Sequence, residues 1–217
     1  MDFLQPTSWD DALAVKAARP EALPIAGGTD VMVELNFDAR RPAALLDLTR
    51  VPELTGWAVE DGLIRLGAGV SYTRLIDELG DLLPGLAMAA RTVGSPQIRN
   101  RGTVGGNLGA ASPAGDCHPP LLAGGAAIEV ASVRGTRTIP AAAFFTGVKQ
   151  NALAPDELIA AVLIPPAAGP QQFSKIGTRN AMVIAVASFC ISLDPAGRPR
   201  AGSGRPRSAR PGPARSA

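Results

Sequence analysis

Short apolar runs, broken by glycine, proline and aspartate, set the rhythm of the chain. Residues 7–18 carry Leu13 and Ala17 on one helical face, with Ser8 placed as N-cap and Asp11 three residues on as an acidic capping-box partner. The apolar run at 22–26 predicts a strand that stops at Gly27-Gly28, and Thr29-Asp30 then opens a helix over Val31 to Asn36. A buried strand is expected at 43–48, followed by a hairpin within 55–67 that turns at Asp61-Gly62, a pair suited to tight turns. Ser71 can cap a helix running to Leu79, and 82–92 reads as another. Strands follow at 126–133 and 157–164, then at 171–178 and 182–193, the last two forming a hairpin around Asn180. No internal repeat is visible.

Two stretches break this rhythm. Residues 93–116 have little periodicity and many Gly, Asn, Ser and Pro, interleaved with apolar positions, which predicts a long, ordered and buried loop. Residues 198–217 contain no Leu, Ile, Val, Met or aromatic residue and are expected to be disordered. From about 203 the Arg/Pro/Ala/Gly/Ser alphabet reads as a frameshifted or otherwise aberrant end, since GC-rich coding DNA read out of frame gives such residues. That reading predicts an unpaired edge on the strand at 182–193, with Val183, Ile184, Val186, Phe189 and Ile191 poorly covered.

Composition narrows the chemistry. With 217 residues the chain is long enough for one large domain or two modest ones, and 46% hydrophobic residues supply a sizeable core. The formal net charge of +2 gives no reason to expect nucleic acid or a membrane surface as partner. The first six residues lack the basic and apolar regions of a signal peptide, and no apolar run reaches membrane-spanning length, so a cytoplasmic protein is expected. Cys117 and Cys190 are the only cysteines and His118 the only histidine. That set excludes a self-contained iron–sulfur cluster and disfavours zinc, so no metal ligand is assigned. Redox chemistry, if any, must come from an organic cofactor.

Two glycine loops are the candidate chemistry. In Ile25-Ala26-Gly27-Gly28-Thr29-Asp30 a strand runs into two glycines and a helix start, where backbone can approach a phosphate closely. The plain alternative is a strand–turn–helix in which Thr29 or Asp30 merely caps. The spacing fits neither the Rossmann fingerprint nor the P-loop. The second loop, Thr103-Val104-Gly105-Gly106-Asn107 followed by Ala111-Ser112-Pro113-Ala114-Gly115-Asp116, could embrace the other side of a dinucleotide. Asp116 could accept hydrogen bonds from sugar or adenine, or simply cap a helix at 117–123. Cys117, His118, Tyr72, Trp9 and Trp57 read as structural.

These loops, in this order, resemble the FAD-binding subunits of molybdenum hydroxylases over about residues 1–202, and the runs at 97–101 and 172–180 are similar to the medium subunit of bacterial xanthine dehydrogenases. The resemblance implies an α+β, two-subdomain FAD-binding fold of the vanillyl-alcohol oxidase (PCMH) type. It divides the chain into 1–55 and 56–168, the start of a C-terminal flavoprotein domain at 169–202, and an aberrant tail at 203–217. It implies non-covalent FAD, with Pro24, Ile25, Ala26, Gly27, Gly28, Thr29, Asp30 and Val31 around the pyrophosphate and Thr103, Val104, Gly105, Gly106 and Asn107 opposite. Asp116 is implied for the ADP-ribose part, and Leu158, Ile159 and Lys175 for the flavin, beside Val93, where some relatives have an aromatic residue. No catalytic side chain is implied in this chain. The molybdenum cofactor and [2Fe–2S] clusters would sit in a large and a small partner subunit, in a heterotrimer or a dimer of heterotrimers, with NAD+ as electron acceptor. The alternatives are the medium subunit of a carbon monoxide dehydrogenase or another aldehyde or N-heterocycle hydroxylase, or a truncated flavin-binding protein without turnover.

Overall fold

The computed structural model describes residues 1–204. Three sheets of three or more strands are drawn from three successive stretches of the chain, with one small two-stranded hairpin besides. The first contains β1 (Asp2–Leu4), β2 (Leu23–Ile25) and β3 (Ala44–Asp47), all parallel, in the order β1-β3-β2. Between β1 and β2 runs α1 (Trp9–Ala18), whose Ser8 hydroxyl accepts from the Asp11 N–H at 3.2 Å, as its spacing predicts. Between β2 and β3 lies α2 (Val31–Asn36). The central strand β3 is buried at all four positions, which is why its sequence is an unbroken apolar run ending in Asp47.

A short 3₁₀ turn over Pro52–Leu54 leads into the second sheet, five-stranded and antiparallel. Its strands β4 (Trp57–Glu60) and β5 (Leu63–Gly67) form the expected hairpin, with Asp61 and Gly62 both at positive φ. The helices α3 (Tyr72–Leu79), α4 (Pro84–Arg91), α5 (Pro96–Arg101), α6 (Val104–Ala110) and α7 (His118–Ala123) follow without an intervening strand. The chain then returns to the sheet as β6 (Ala127–Ser132) and β7 (Gly135–Pro140). Next come the single turn α8 (Ala141–Phe144), the small hairpin β8 (Phe145–Gly147) and β9 (Gln150–Asn151), and the central strand β10 (Leu158–Ile164). The order is β4-β5-β10-β6-β7, and β10 is almost wholly buried between its neighbours. One apolar core runs from Ala12 on α1 through Leu46 on β3 to Val162 on β10.

The third sheet is antiparallel, β11 (Gln171–Ile176), β12 (Ala187–Leu193) and β13 (Pro199–Gly204), in sequence order. Phe173 and Cys190 on its inner face pack against Ala89 of α4 and Ala123 of α7. The hairpin expected here exists, but its connection spans 177–186 and the second strand starts only at Ala187.

Two expectations fail. Residues 93–116 are largely helical, because Ser95 and Thr103 each cap a short helix: α5 is only six residues long, and the glycines of α6 hide its period. Residues 199–204 are not disordered: they pair with β12 from Pro199↔Leu193 to Gly204↔Ser188. The edge of β12 is therefore covered, although Ile184, Val186 and Phe189 remain exposed at 79%, 55% and 44%. Ser203 and Gly204 belong to this ladder, and the rest of the expected aberrant tail lies outside the described residues. Among the described residues no helix is long and apolar enough to cross a membrane.

Candidate functional site

A cleft of about 720 Å³ opens where the loop after β2 meets the α5–α6 corner and the central strand β10. The two glycine loops touch each other there. A Cβ on Gly27 would sit 1.8 Å from the Arg101 carbonyl oxygen, so only glycine lets the first loop lie on the second. Gly28 turns the chain at φ +75°, a conformation that favours glycine. Among the described residues the N–H groups of Gly27, Gly28, Thr29 and Asp30 have no hydrogen-bond acceptor. Asp30 precedes α2 but its side chain caps nothing.

On the facing wall, the Thr103 hydroxyl accepts from the Gly106 N–H at 2.9 Å and fixes the start of α6. Gly105 and Gly106 differ in what they face. A Cβ on Gly105 would meet the Ala68 carbonyl oxygen at 2.5 Å, whereas one on Gly106 would meet only the Thr103 hydroxyl, at 3.1 Å, within 4 Å. The pattern of two adjacent glycines thus has two causes: packing against β5's exit at Gly105, and openness toward the cleft at Gly106.

Of the sequence-predicted residues, Pro24 through Val31, Thr103, Gly105, Gly106, Asn107, Asp116, Leu158 and Ile159 all line this cleft, as does Val93. Leu158 and Ile159 also belong to the core, so both readings of them hold. Val104 and Lys175 do not line it. Val104 is fully buried in the core beneath α6. Lys175 instead reaches Asp116, with Nζ 2.7 Å from Oδ2 and 3.3 Å from the Thr92 carbonyl. Asp116 does not cap α7: Cys117 holds the N-cap position, without a side-chain bond.

Burial pushes the Asp116 carboxyl above its ordinary value, against the pull of the Lys175 ammonium and the Thr92 hydroxyl. The Asp116 Oδ1 and Asn107 Oδ1 atoms are buried and have no hydrogen-bond partner among the described residues. Buried acceptors of this kind are costly unless something bonds them. Behind them, burial drives the Cys117 thiol up to about 12 and the His118 imidazole down to about 4. Both are neutral near pH 7, and His118 stacks on Phe145 with ring centroids 4.1 Å apart. Neither lines the cleft.

Sequence reasoning missed several cleft residues, among them Lys16, Glu34, Arg40 and Lys149. Lys16 lies on the buried face of α1 and donates to the carbonyls of Pro20 at 2.7 Å and Ala22 at 2.8 Å. Its signal was a lysine in helical register with Ala12 and Leu13. Lys149, at the tip of the β8–β9 hairpin, pairs across the rim with Glu34 of α2, which Arg40 also approaches at 3.6 Å. Nothing local in the sequence joins positions so far apart.

The family model for the FAD binding domain in molybdopterin dehydrogenase matches residues 1–167. The chain is similar to the nicotinate dehydrogenase FAD-subunit of Eubacterium barkeri, 34% identical over 207 residues that cover 90% of this chain and 70% of the relative. It is 36% identical over 159 residues to the xanthine dehydrogenase FAD-binding subunit of Escherichia coli O157:H7, covering 72% of this chain and 54% of that one. Among solved structures, a carbon monoxide dehydrogenase from Hydrogenophaga pseudoflava superposes with a TM-score of 0.89 at 27% identity, covering 94% of this chain and 74% of that chain. A quinoline 2-oxidoreductase from Pseudomonas putida 86 does so at 0.85 and 28%, covering 89% and 68%. The chain spans 54% to 70% of the length of these two curated relatives. The fold is therefore the α+β, PCMH-type FAD-binding architecture expected from the resemblance.

Proposed function

This chain belongs to the family of FAD-binding domains of molybdopterin dehydrogenases, and we propose that its cleft holds one FAD without a covalent bond, as the electron-transfer subunit of a xanthine dehydrogenase-type molybdenum hydroxylase. The observation that carries this reading is the first glycine loop, with its unengaged N–H groups, on one wall, and on the other the second loop with two unpartnered buried acceptors, Asn107 Oδ1 and Asp116 Oδ1. Such a wall suits a ligand with both a phosphate chain and N–H or O–H donors. The 720 Å³ of the cleft lies within the roughly 300–1,000 Å³ usual for ligand pockets.

Gly27, Gly28, Thr29 and Asp30 would offer backbone donors to the pyrophosphate, Gly106 would leave room for it, and Asp116 would take a donor on the ADP-ribose part. Leu158, Ile159 and Val93 would give apolar contact to the ring system. When bound, the flavin supplies redox chemistry that no side chain here can perform. Electrons would arrive from the [2Fe–2S] clusters of a small subunit, drawn from a molybdenum centre in a large one, and leave to NAD+. Cytoplasmic location and a heterotrimer, or a dimer of heterotrimers, are part of this reading.

The purified chain should be yellow, and acid precipitation should release FAD to the supernatant. Flavin retained in the pellet would overturn the non-covalent reading, and FMN in the supernatant would overturn the pyrophosphate site. Reconstitution with small and large subunits should give substrate-dependent NAD+ reduction, and reduction of oxygen alone would overturn the acceptor.

A further inference from the structure

We propose that Lys175 is a positioning residue that keeps Asp116 ionised, so that the unpartnered oxygen of Asp116 accepts a hydrogen bond from a donor group of the bound dinucleotide. This rests on the FAD reading of the cleft.

Lys175 on β11 lies outside the cleft wall, while Asp116, in the turn before α7, is part of it. Their side chains are only 7% and 9% exposed, and Nζ sits 2.7 Å from Asp116 Oδ2. The ammonium is also held by the Thr92 carbonyl at 3.3 Å, and Lys175 does not line the cleft. That leaves Asp116 Oδ1, buried and without a partner among the described residues, as the atom available to a ligand.

The arrangement has a physical reason. A carboxylate this deeply buried tends to take up a proton, which leaves only a weaker, neutral acceptor. Burial does push Asp116 up, and Lys175 is the cation that opposes it. The other titratable groups around it are Tyr72 on α3 and Cys117 in the next position, and burial holds both neutral. His118 is neutral as well. No second cation acts on Asp116 among the described residues. Buried ion pairs contribute little net stability, so one strand of the third sheet reaching across to the cleft wall is better explained by the charge state it maintains there.

The inference separates cleanly from a direct Lys175–ligand contact by titrating FAD into the full-length apo chain. Lys175→Met and Asp116→Ala should each weaken FAD by roughly 5- to 150-fold, as expected for a lost charge-assisted bond. The double variant should be no weaker than Asp116→Ala alone, since both remove the same interaction. Acidification should release FAD from Lys175→Met at a higher pH than from wild type, and Lys175→Arg should restore most of the affinity. Asn at 116 is a neutral acceptor whose strength no cation sets. Asp116→Asn and Asp116→Asn/Lys175→Met should therefore bind FAD alike, both more weakly than wild type and with no acid release of their own. Equal binding by the two also shows that loss of Lys175 does not unfold the chain. Competition with ADP and with FMN locates the donor, since one of them should lose affinity in Asp116→Ala. Additive losses, a Lys175→Met chain with wild-type affinity and pH profile, or undiminished binding of both competitors would overturn the inference alone. A wild-type chain that takes up no FAD would overturn the cofactor reading and this inference with it.

Discussion

At the scale of single residues, adjacent identical letters turn out to have unlike duties. Gly105 and Gly106 look interchangeable on the sequence, as if the close approach of a ligand demanded both. Gly105 is demanded by the protein itself, because any side chain would drive into the Ala68 carbonyl. Gly106 is in helical conformation, not at positive φ, so the backbone imposes no glycine there. Gly105→Ala should therefore destabilise the fold by about 1–3 kcal/mol or more through overpacking. Gly106→Ala should change stability by no more than about 1 kcal/mol, alanine's better helix propensity being offset by a Cβ only 3.1 Å from the capping Thr103 hydroxyl. Its methyl group would nonetheless protrude into the cleft and weaken FAD. Urea unfolding and flavin titration of both variants test this: a stable Gly106→Ala chain with wild-type FAD affinity would remove Gly106 from the binding wall. The same distinction explains what was legible. Residue type and order pointed to Asp116 and Lys175 separately. That they bond each other depends on a long-range fold contact that no local spacing encodes.

At the scale of elements, strong patterns survived and weak ones did not. The Ser8 cap, the Asp61-Gly62 hairpin and the buried run of β10 were all readable, because cap, turn and burial each leave a local signature. The helix α6 was hidden because glycine lowers the helical signal, and α5 because six residues are too few to show a period; both are held by caps and neighbours rather than propensity. The strand β13 was hidden for a related reason: its burial is carried by glycines. Gly202 and Gly204 are its buried positions, and a Cβ on Gly202 would lie 2.1 Å from the Pro119 carbonyl. A segment without large apolar residues thus forms a strand because its backbone packs directly on α7. Gly202→Val should accordingly prevent β13 from docking, with a loss of several kcal/mol, of the order of other overpacked sites. Ser203→Val, on the open face opposite Phe189, should cost less than about 1 kcal/mol, valine being a good strand residue. Thermal unfolding of the two variants decides it, and equal tolerance of both would mean that β13 contributes nothing to stability.

At the scale of the whole molecule, the question is what holds the first sheet against the second across the cleft. Beyond the shared core at its base, the rim is joined by the Lys149–Glu34 pair, in which Lys149 is 53% exposed. An ion pair so open to solvent is worth at most about 1 kcal/mol and weakens with salt. A ligand that contacts both glycine loops acts through mass action instead, and at a hundredfold excess over its Kd it adds about 2.7 kcal/mol. FAD, rather than the bridge, should therefore dominate the coupling. For a chain of this size, that amount corresponds to a Tm increase of roughly 5–11 °C, scaling from about 2–4 °C per kcal/mol. The increase should persist in Lys149→Ala, whose own Tm should fall by no more than a few degrees. It should also persist in high salt, where the bridge is screened. Calorimetry of wild type and Lys149→Ala, each with and without FAD, makes the comparison directly. If Lys149→Ala abolished most of the FAD-dependent increase, the hairpin would have to act as part of the binding site itself, and the cleft could no longer be described by its two glycine loops alone.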